Sequence, residues 1–281
     1  MDWWVWPIAL FAVSFAIGIV AVLGGVGGGV LFVPIVGSFF PFHLDFVRGA
    51  GLVLALTGAL AAGPSLLRSG LASIRLGMPL ALVGSITSIA GAVIGLALPV
   101  QVLQVALGLL IFAIAALMAF GGGATSAALS AGDAMSNALR MQGTYRDQAS
   151  GQDVAWRVHR TPAALVAFAA IGLMAGMFGL GAGWANVPVL NLLMGAPLKL
   201  AVGTSGFVLA VVDSTAAWVY IHRGAMLPML AVPAVLGVML GSRLGARLLF
   251  TTSSLAVRRI VVAVMVVAGA RALLRGLGLW N

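Results

Sequence analysis

Ten apolar runs separated by short polar or glycine-rich joints set the pattern of the chain. Five lie at about 8–23, 30–42, 47–66, 75–97 and 101–119, and five more at about 163–178, 184–195, 199–221, 226–249 and 255–274. Their length and uniformity predict α-helices in an apolar surrounding. At 1.5 Å per residue the first two runs reach roughly 24 and 20 Å, short of a hydrocarbon core of roughly 30 Å, whereas the next two are long enough to cross it.

A constant offset relates the two sets. Adding 154 carries Gly18 to Gly172, Gly25 to Gly179, Gly27 to Gly181, Gly29 to Gly183, Pro34 to Pro188, Gly49 to Gly203, Pro79 to Pro233 and Gly91 to Gly245 without a gap. Glycine and proline matter for backbone shape, so the halves are expected to share a chain path more than a set of side chains. The reading is two homologous transmembrane repeats, 1–119 and 161–281, joined by a loop at 120–160. If the short pair that opens each repeat is a re-entrant hairpin, each repeat makes three net crossings and the second is inverted. If the pair makes one net crossing, the count is even and the repeats are parallel. Helix lengths favour the inverted form.

Composition fixes the solvent. With 62% hydrophobic residues, 7% charged residues and a mean hydropathy of +1.16, the chain is too apolar for a soluble domain and reads as an all-α polytopic membrane protein. A net charge of +9 does not indicate nucleic acid, because the basic residues are scattered between apolar runs. There is no cysteine, there are three histidines, and every acidic residue is an aspartate, so neither a metal nor another cofactor is expected. Met1-Asp2-Trp3-Trp4 lacks a basic leader, and the first run is read as mature sequence.

The loop at 120–160 carries Arg140, Arg146, Arg157 and Arg160, and the positive-inside rule assigns it to the cytoplasm. The hairpin topology adds Arg68, Arg75, Lys199, Arg258 and Arg259 to that side and leaves Arg48, Arg223, Arg271 and Arg275 outside. The parallel topology gives an equal imbalance, and only Arg243 and Arg247 favour the hairpin form.

The chemistry is concentrated in two glycine stretches. Gly24-Gly25-Val26-Gly27-Gly28-Gly29 and Gly179-Leu-Gly-Ala-Gly183 interrupt apolar segments, and open backbone at membrane depth must be buried in protein or line a cavity. A half-helix beginning there presents free N–H groups and a positive dipole end, suited to an anion. Gly27, Gly28, Gly29, Gly181 and Gly183 are therefore candidate substrate-binding positions. The alternative is that Gly25-x-x-x-Gly29 and Gly179-x-x-x-Gly183 serve close helix packing.

These stretches, each followed by Val-Pro, together with Ala201-Val-Gly-Thr-Ser205 and Gly224, resemble the sulfite exporter TauE/SafE family of membrane transporters. The first half matches more loosely, with Arg48-Gly-Ala-Gly51 where Thr-Ser is expected. The resemblance implies a multi-pass carrier of the cell inner membrane that moves small sulfur-containing or organic anions, such as sulfite or sulfonates, usually outward.

Asp213 lies well inside the run 199–221. An ionised carboxylate there costs at least a few kcal/mol, so it must face a cavity, find a partner or take up a proton. It is read as a proton-coupling or gating group, against a structural hydrogen bond to a neighbouring helix. Asn186 and Trp184 follow the second glycine stretch and offer a donor and a wall. Thr204 and Ser205, beside Gly203 at the start of a crossing helix, are candidate anion donors. Arg48, Arg68 and His222-Arg223 are read as anchors of helix ends. The expected partners are a small anion, the lipid bilayer and protons. Gly203-Thr204-Ser205-Gly206 also spells an intramembrane serine protease motif, but His222 lies roughly 25 Å along the same helix. An anion channel is a third reading, without a recognisable filter.

Overall fold

The computed structural model describes residues 4–24, 27–68, 70–120, 132–146, 152–181, 183–248 and 254–279. The first half consists of α1 (Val5–Gly24), α2 (Gly28–Phe39), α3 (Leu44–Arg68), α4 (Ile74–Ala97) and α5 (Val100–Phe120). The second consists of α7 (Thr161–Phe178), α8 (Gly183–Pro188), α9 (Leu198–His222), α10 (Pro228–Leu248) and α11 (Ser254–Gly276). The fold is that of an all-α polytopic membrane protein: α4, α5, α7, α9 and α10 contain apolar stretches long enough to cross a bilayer. Large apolar side chains face outward on these helices, such as Leu82, Ile86 and Val93 on α4 and Trp218 and Ile221 on α9.

Two differences from the sequence pattern concern the opening pairs. First, α1 is 20 residues long and α7 is 18, so α1 is a turn longer than its apolar run. Val5, Trp6 and Pro7 extend α1, since proline is tolerated in a first turn where its N–H would go unused. Second, α8 passes into a π-helical turn at Val189–Leu193. Pro188 removes a backbone donor, and Met194 then bonds to the Val189 carbonyl at 3.0 Å, five residues back.

Both pairs close at their open ends. Trp6 meets Phe40 and Phe42 edge-on at 6.1 and 5.6 Å, which brings the start of α1 to the end of α2. In the second pair the His159 N–H donates to Met194 O at 3.0 Å, and Gly195 lies against the His159 ring.

Close contacts at glycines give the helix directions. Phe11, Phe15 and Ile19 of α1 meet Gly237, Gly241 and Gly245 of α10 in the same order, so these helices run parallel. Gly84 and Ser88 of α4 meet Gly172 and Gly176 of α7 in the same sense. By contrast, Gly49 at the start of α3 faces Tyr220 and Ala225, while Gly203 at the start of α9 faces Leu71 and Ala72. Thus α3 and α9 are antiparallel. So are α5 and α11, with Gly108 on Gly269 and Gly276 on Gln101.

The segment read as a loop holds structure: α6 (Ala134–Ala138) and an antiparallel hairpin, β1 (Gln142–Arg146) with β2 (Asp153–Arg157). Met141, Tyr145, Trp156 and Val158 bury their side chains in one apolar cluster with Leu76, Met194, Ala196 and Leu200. This cap therefore sits where α4 and α9 begin and the second helix pair ends. Asp133 fixes it, accepting the N–H groups of Ser136 and Thr161 at 2.6 Å each and the Thr161 hydroxyl at 3.0 Å. Burial opposes ionisation of Asp133, but these hydrogen bonds outweigh it and hold the carboxyl below its ordinary range.

Candidate functional site

The tips of the two opening pairs meet in the middle of the bundle. A Cβ on Gly29 would lie 2.7 Å from the Leu180 carbonyl oxygen and 3.1 Å from that of Gly51, so backbone touches backbone with no room for a side chain. Gly51, two turns into α3, packs in turn on the Gly179 carbonyl and Val33. Gly179 and Gly181 have φ of +68° and +71°, which L side chains adopt only under strain. The first ends α7 in a left-handed cap, its N–H bonded to Ala175 O at 2.9 Å.

The second directs the chain at Asp213. A Cβ on Gly181 would stand 3.1 Å from Asp213 Oδ2 and 2.9 Å from Ala55 Cβ. Asp213 is fully buried in α9, and neither carboxyl oxygen has a hydrogen-bond partner among the described residues. One helical step on, the Thr215 and Ser88 hydroxyls lie 2.9 Å apart, and Ser88 Oγ donates to Val212 O at 3.2 Å, joining α4 to α9.

The other predicted positions divide. Gly28 faces Leu54 and Val238, Gly183 faces Leu209, and Gly27 has open space beyond its Cα; Gly25 and Ala182 lie outside the described residues. Asn186 is fully buried on α8, with both side-chain polar atoms unpaired among the described residues, as suits a donor awaiting a partner. Thr204 stands elsewhere: its Oγ1 accepts the Ser73 N–H at 3.1 Å, while Gly203 presses on Leu71. Nine residues, about 13 Å of helix, separate Thr204 from Asp213, on opposite faces. The Gly-Thr-Ser motif therefore seats the connection from α3 to α4, and Thr204 is not at the tips. Ser205 is buried beside it, and His222 ends the same helix exposed. A cleft of about 390 Å³ lined by Ser73, Arg75, Gln142, Thr144, Trp156 and Leu200 opens beneath the cap, away from the tips.

The sequence reading missed Arg48. Taken as an anchor, it is instead fully buried. Its Nη1 donates to Met177 O at 2.7 Å and to Gly95 O at 3.2 Å, Nη2 donates to Gly95 O at 3.2 Å and to Asp45, and the guanidinium lies 5.6 Å from the Tyr220 ring centre. The available signal was the spacing of Asp45 and Arg48, three residues apart on one helix.

Two glycine tips meeting beside a buried carboxyl, within helices of membrane-spanning length, are the core of a polytopic membrane protein. The model of the sulfite exporter TauE/SafE family matches residues 10–272, nearly the whole chain, and the chain belongs to that family. No curated protein and no solved structure matches it.

Proposed function

We propose that the protein is a secondary transporter that exports small sulfur-containing anions, such as sulfite or sulfonates, across the cell inner membrane by alternating access around the two tips. The observation that carries this reading is the contact of Gly29 with the Leu180 carbonyl, next to Gly181 and Asp213. Backbone N–H groups at the tips and the Asn186 amide supply donors for oxyanion oxygens. The Asp213 carboxyl exchanges a proton during the cycle, so that proton movement drives the anion.

The halves act as inverted repeats. Support comes from the antiparallel packing of α3 on α9 and α5 on α11, each a pair related by the 154-residue offset, and from α1 lying on α10 while α7 lies on α4. A twofold axis in the membrane plane exchanges such pairs, and alternating access then consists of rocking one repeat against the other. The chain divides at 120–160, with the cap in the cytoplasm and both termini outside. Active alkaline phosphatase fused after Asn281 supports this topology, and an active cytoplasmic reporter there opposes it.

The function is tested by loading inside-out vesicles with labelled sulfite or sulfoacetate. Accumulation that depends on the protein and on a proton gradient supports the proposal. Retention of both anions outside, with the protein folded, contradicts it. A protease reading gains nothing from the geometry, since Ser205 is buried and His222 is at the far end of the same helix.

A further inference from the structure

An anion taken into the middle of a bilayer protein needs a positive charge near it, and among the described residues Arg48 is the only fully buried cation. Burying a guanidinium carries a heavy desolvation penalty, which the helix-end carbonyls and one carboxylate around Arg48 offset. Its surroundings are uneven. Two of its partners, the carbonyls of Gly95 and Met177 near the ends of α4 and α7, carry no formal charge. Among the described residues its one counter-charge is Asp45, whose side chain is 25% exposed and lies 3.3 Å from the exposed His43 ring. Arg48 Nε has no hydrogen-bond partner among the described residues. The guanidinium is thus neutralised from its water-facing side alone.

The Arg48 backbone adjoins the second tip. Gly179 rests on the Arg48 backbone, and one turn along α3 Gly51 packs on the Gly179 carbonyl. Arg48 therefore stands between the part-exposed Asp45 at the start of α3 and Gly179, which leads into Gly181 and Asp213. The planar fork of a guanidinium that holds one carboxylate can hold an oxyanion in the same way.

We infer that Arg48 is the cation that binds the transported oxyanion, and that Asp45 is the group the anion displaces. The inference rests on the transporter reading above. It makes the Asp45–Arg48 pair a closed gate on the face where α3 begins: the pair breaks when an anion takes the guanidinium and re-forms when the anion leaves. The 154-offset counterparts are Lys199 and Val202, so the opposite face has no equivalent pair in the sequence.

Equilibrium binding of labelled sulfite to the purified protein in nanodiscs tests this. Asp45→Asn removes the competing carboxylate and keeps the guanidinium, and is expected to tighten sulfite binding by roughly threefold to tenfold. Arg48→Gln is expected to weaken it by roughly tenfold to a hundredfold, the loss of a charge-assisted hydrogen bond. If Arg48→Gln does not fold, Asp45→Asn alone decides. A purely structural arginine predicts unchanged or weaker binding in Asp45→Asn, and that result overturns the inference, as does wild-type affinity in a folded Arg48→Gln. Wild-type protein that binds sulfite while Asp45→Asn shows no tightening leaves the transporter reading standing and removes Arg48 from it. Wild-type protein that binds no sulfite overturns both.

Discussion

The two central helices, α3 and α9, align at an offset of 154 residues and pack antiparallel, yet they bury different ionisable groups in the core. Arg48 is buried on α3, where α9 has Val202; Asp213 is buried on α9, where α3 has Ala59. The tips differ in the same manner. Gly181 stands against Asp213 at φ +71°, while its counterpart Gly27 meets open space. The helix order is thus common to both halves, while the backbone at the tips and the buried ionisable groups differ between them. A site built from two similar scaffolds gains an orientation this way, with a cation toward the start of α3 and a carboxyl at the tips.

The largest expected effect is at Gly181. Gly181→Leu forces a side chain into a left-handed conformation, at about 1–2 kcal/mol, and drives it into Ala55 and Asp213. Transport should be abolished and the folded yield reduced. Gly27→Leu should fold with wild-type yield, because nothing lies within 4 Å of its Cβ position, and should still lose transport by blocking the N–H groups of the first tip. Transport per folded molecule, measured on both variants, separates binding from packing. Equal loss of stability in the two would erase the contrast between the tips.

Asp213→Asn comes next. The amide keeps size and hydrogen bonding, so anion binding should persist while dependence on an imposed proton gradient disappears. Adding Ala59→Asp to this variant should not restore coupling if the halves are chemically distinct. Recovery would make the two positions interchangeable and break the comparison.

A smaller effect is expected at the cap, which lies against the base of the second pair. Asp133→Ala should destabilise the cap by about 1 kcal/mol, the usual worth of a lost helix cap. Because the folded carboxyl is held below its ordinary range, its contribution is complete above that range and is lost as pH falls through the lowered value. Thermal unfolding followed at Trp156 should show this acid sensitivity in the wild type and not in Asp133→Ala. The smallest effect is that of Thr204→Val, which leaves the Ser73 N–H unpaired and should cost about 1 kcal/mol with anion affinity unchanged. A large loss of affinity would return Thr204 to the site.

Most of the helix plan was legible in the sequence, because membrane helices are marked by length and apolarity and their breaks by glycine. The contact between the two glycine stretches follows from the inverted arrangement the sequence pattern suggests, in which their copies come together near the middle of the bundle. Arg48 was not. A cation near the end of an apolar run reads as an interfacial anchor, and what buries it comes from Gly95 and Met177, 47 and 129 residues away. Thr204 misled for a related reason: a hydroxyl beside glycine at a helix start suits an anion, but equally suits the backbone of a neighbouring connection. The cap was hidden because two five-residue strands between polar flanks carry too little periodicity to stand out from a loop.

The claim that the two tips form the anion site is tested most directly by thiol protection, which is clean here because the chain contains no cysteine. Gly27→Cys places a thiol at the first tip, and Gly58→Cys places one on α3 at another position with nothing within 4 Å. Alkylation of both is timed in the presence of sulfoacetate, methanesulfonate and sulfate, anions that do not consume the thiol reagent. Concentration-dependent slowing at Gly27→Cys by at least one of them, with Gly58→Cys unaffected, is the predicted result. Unchanged labelling of Gly27→Cys under every anion, or equal slowing at both positions, would contradict the account.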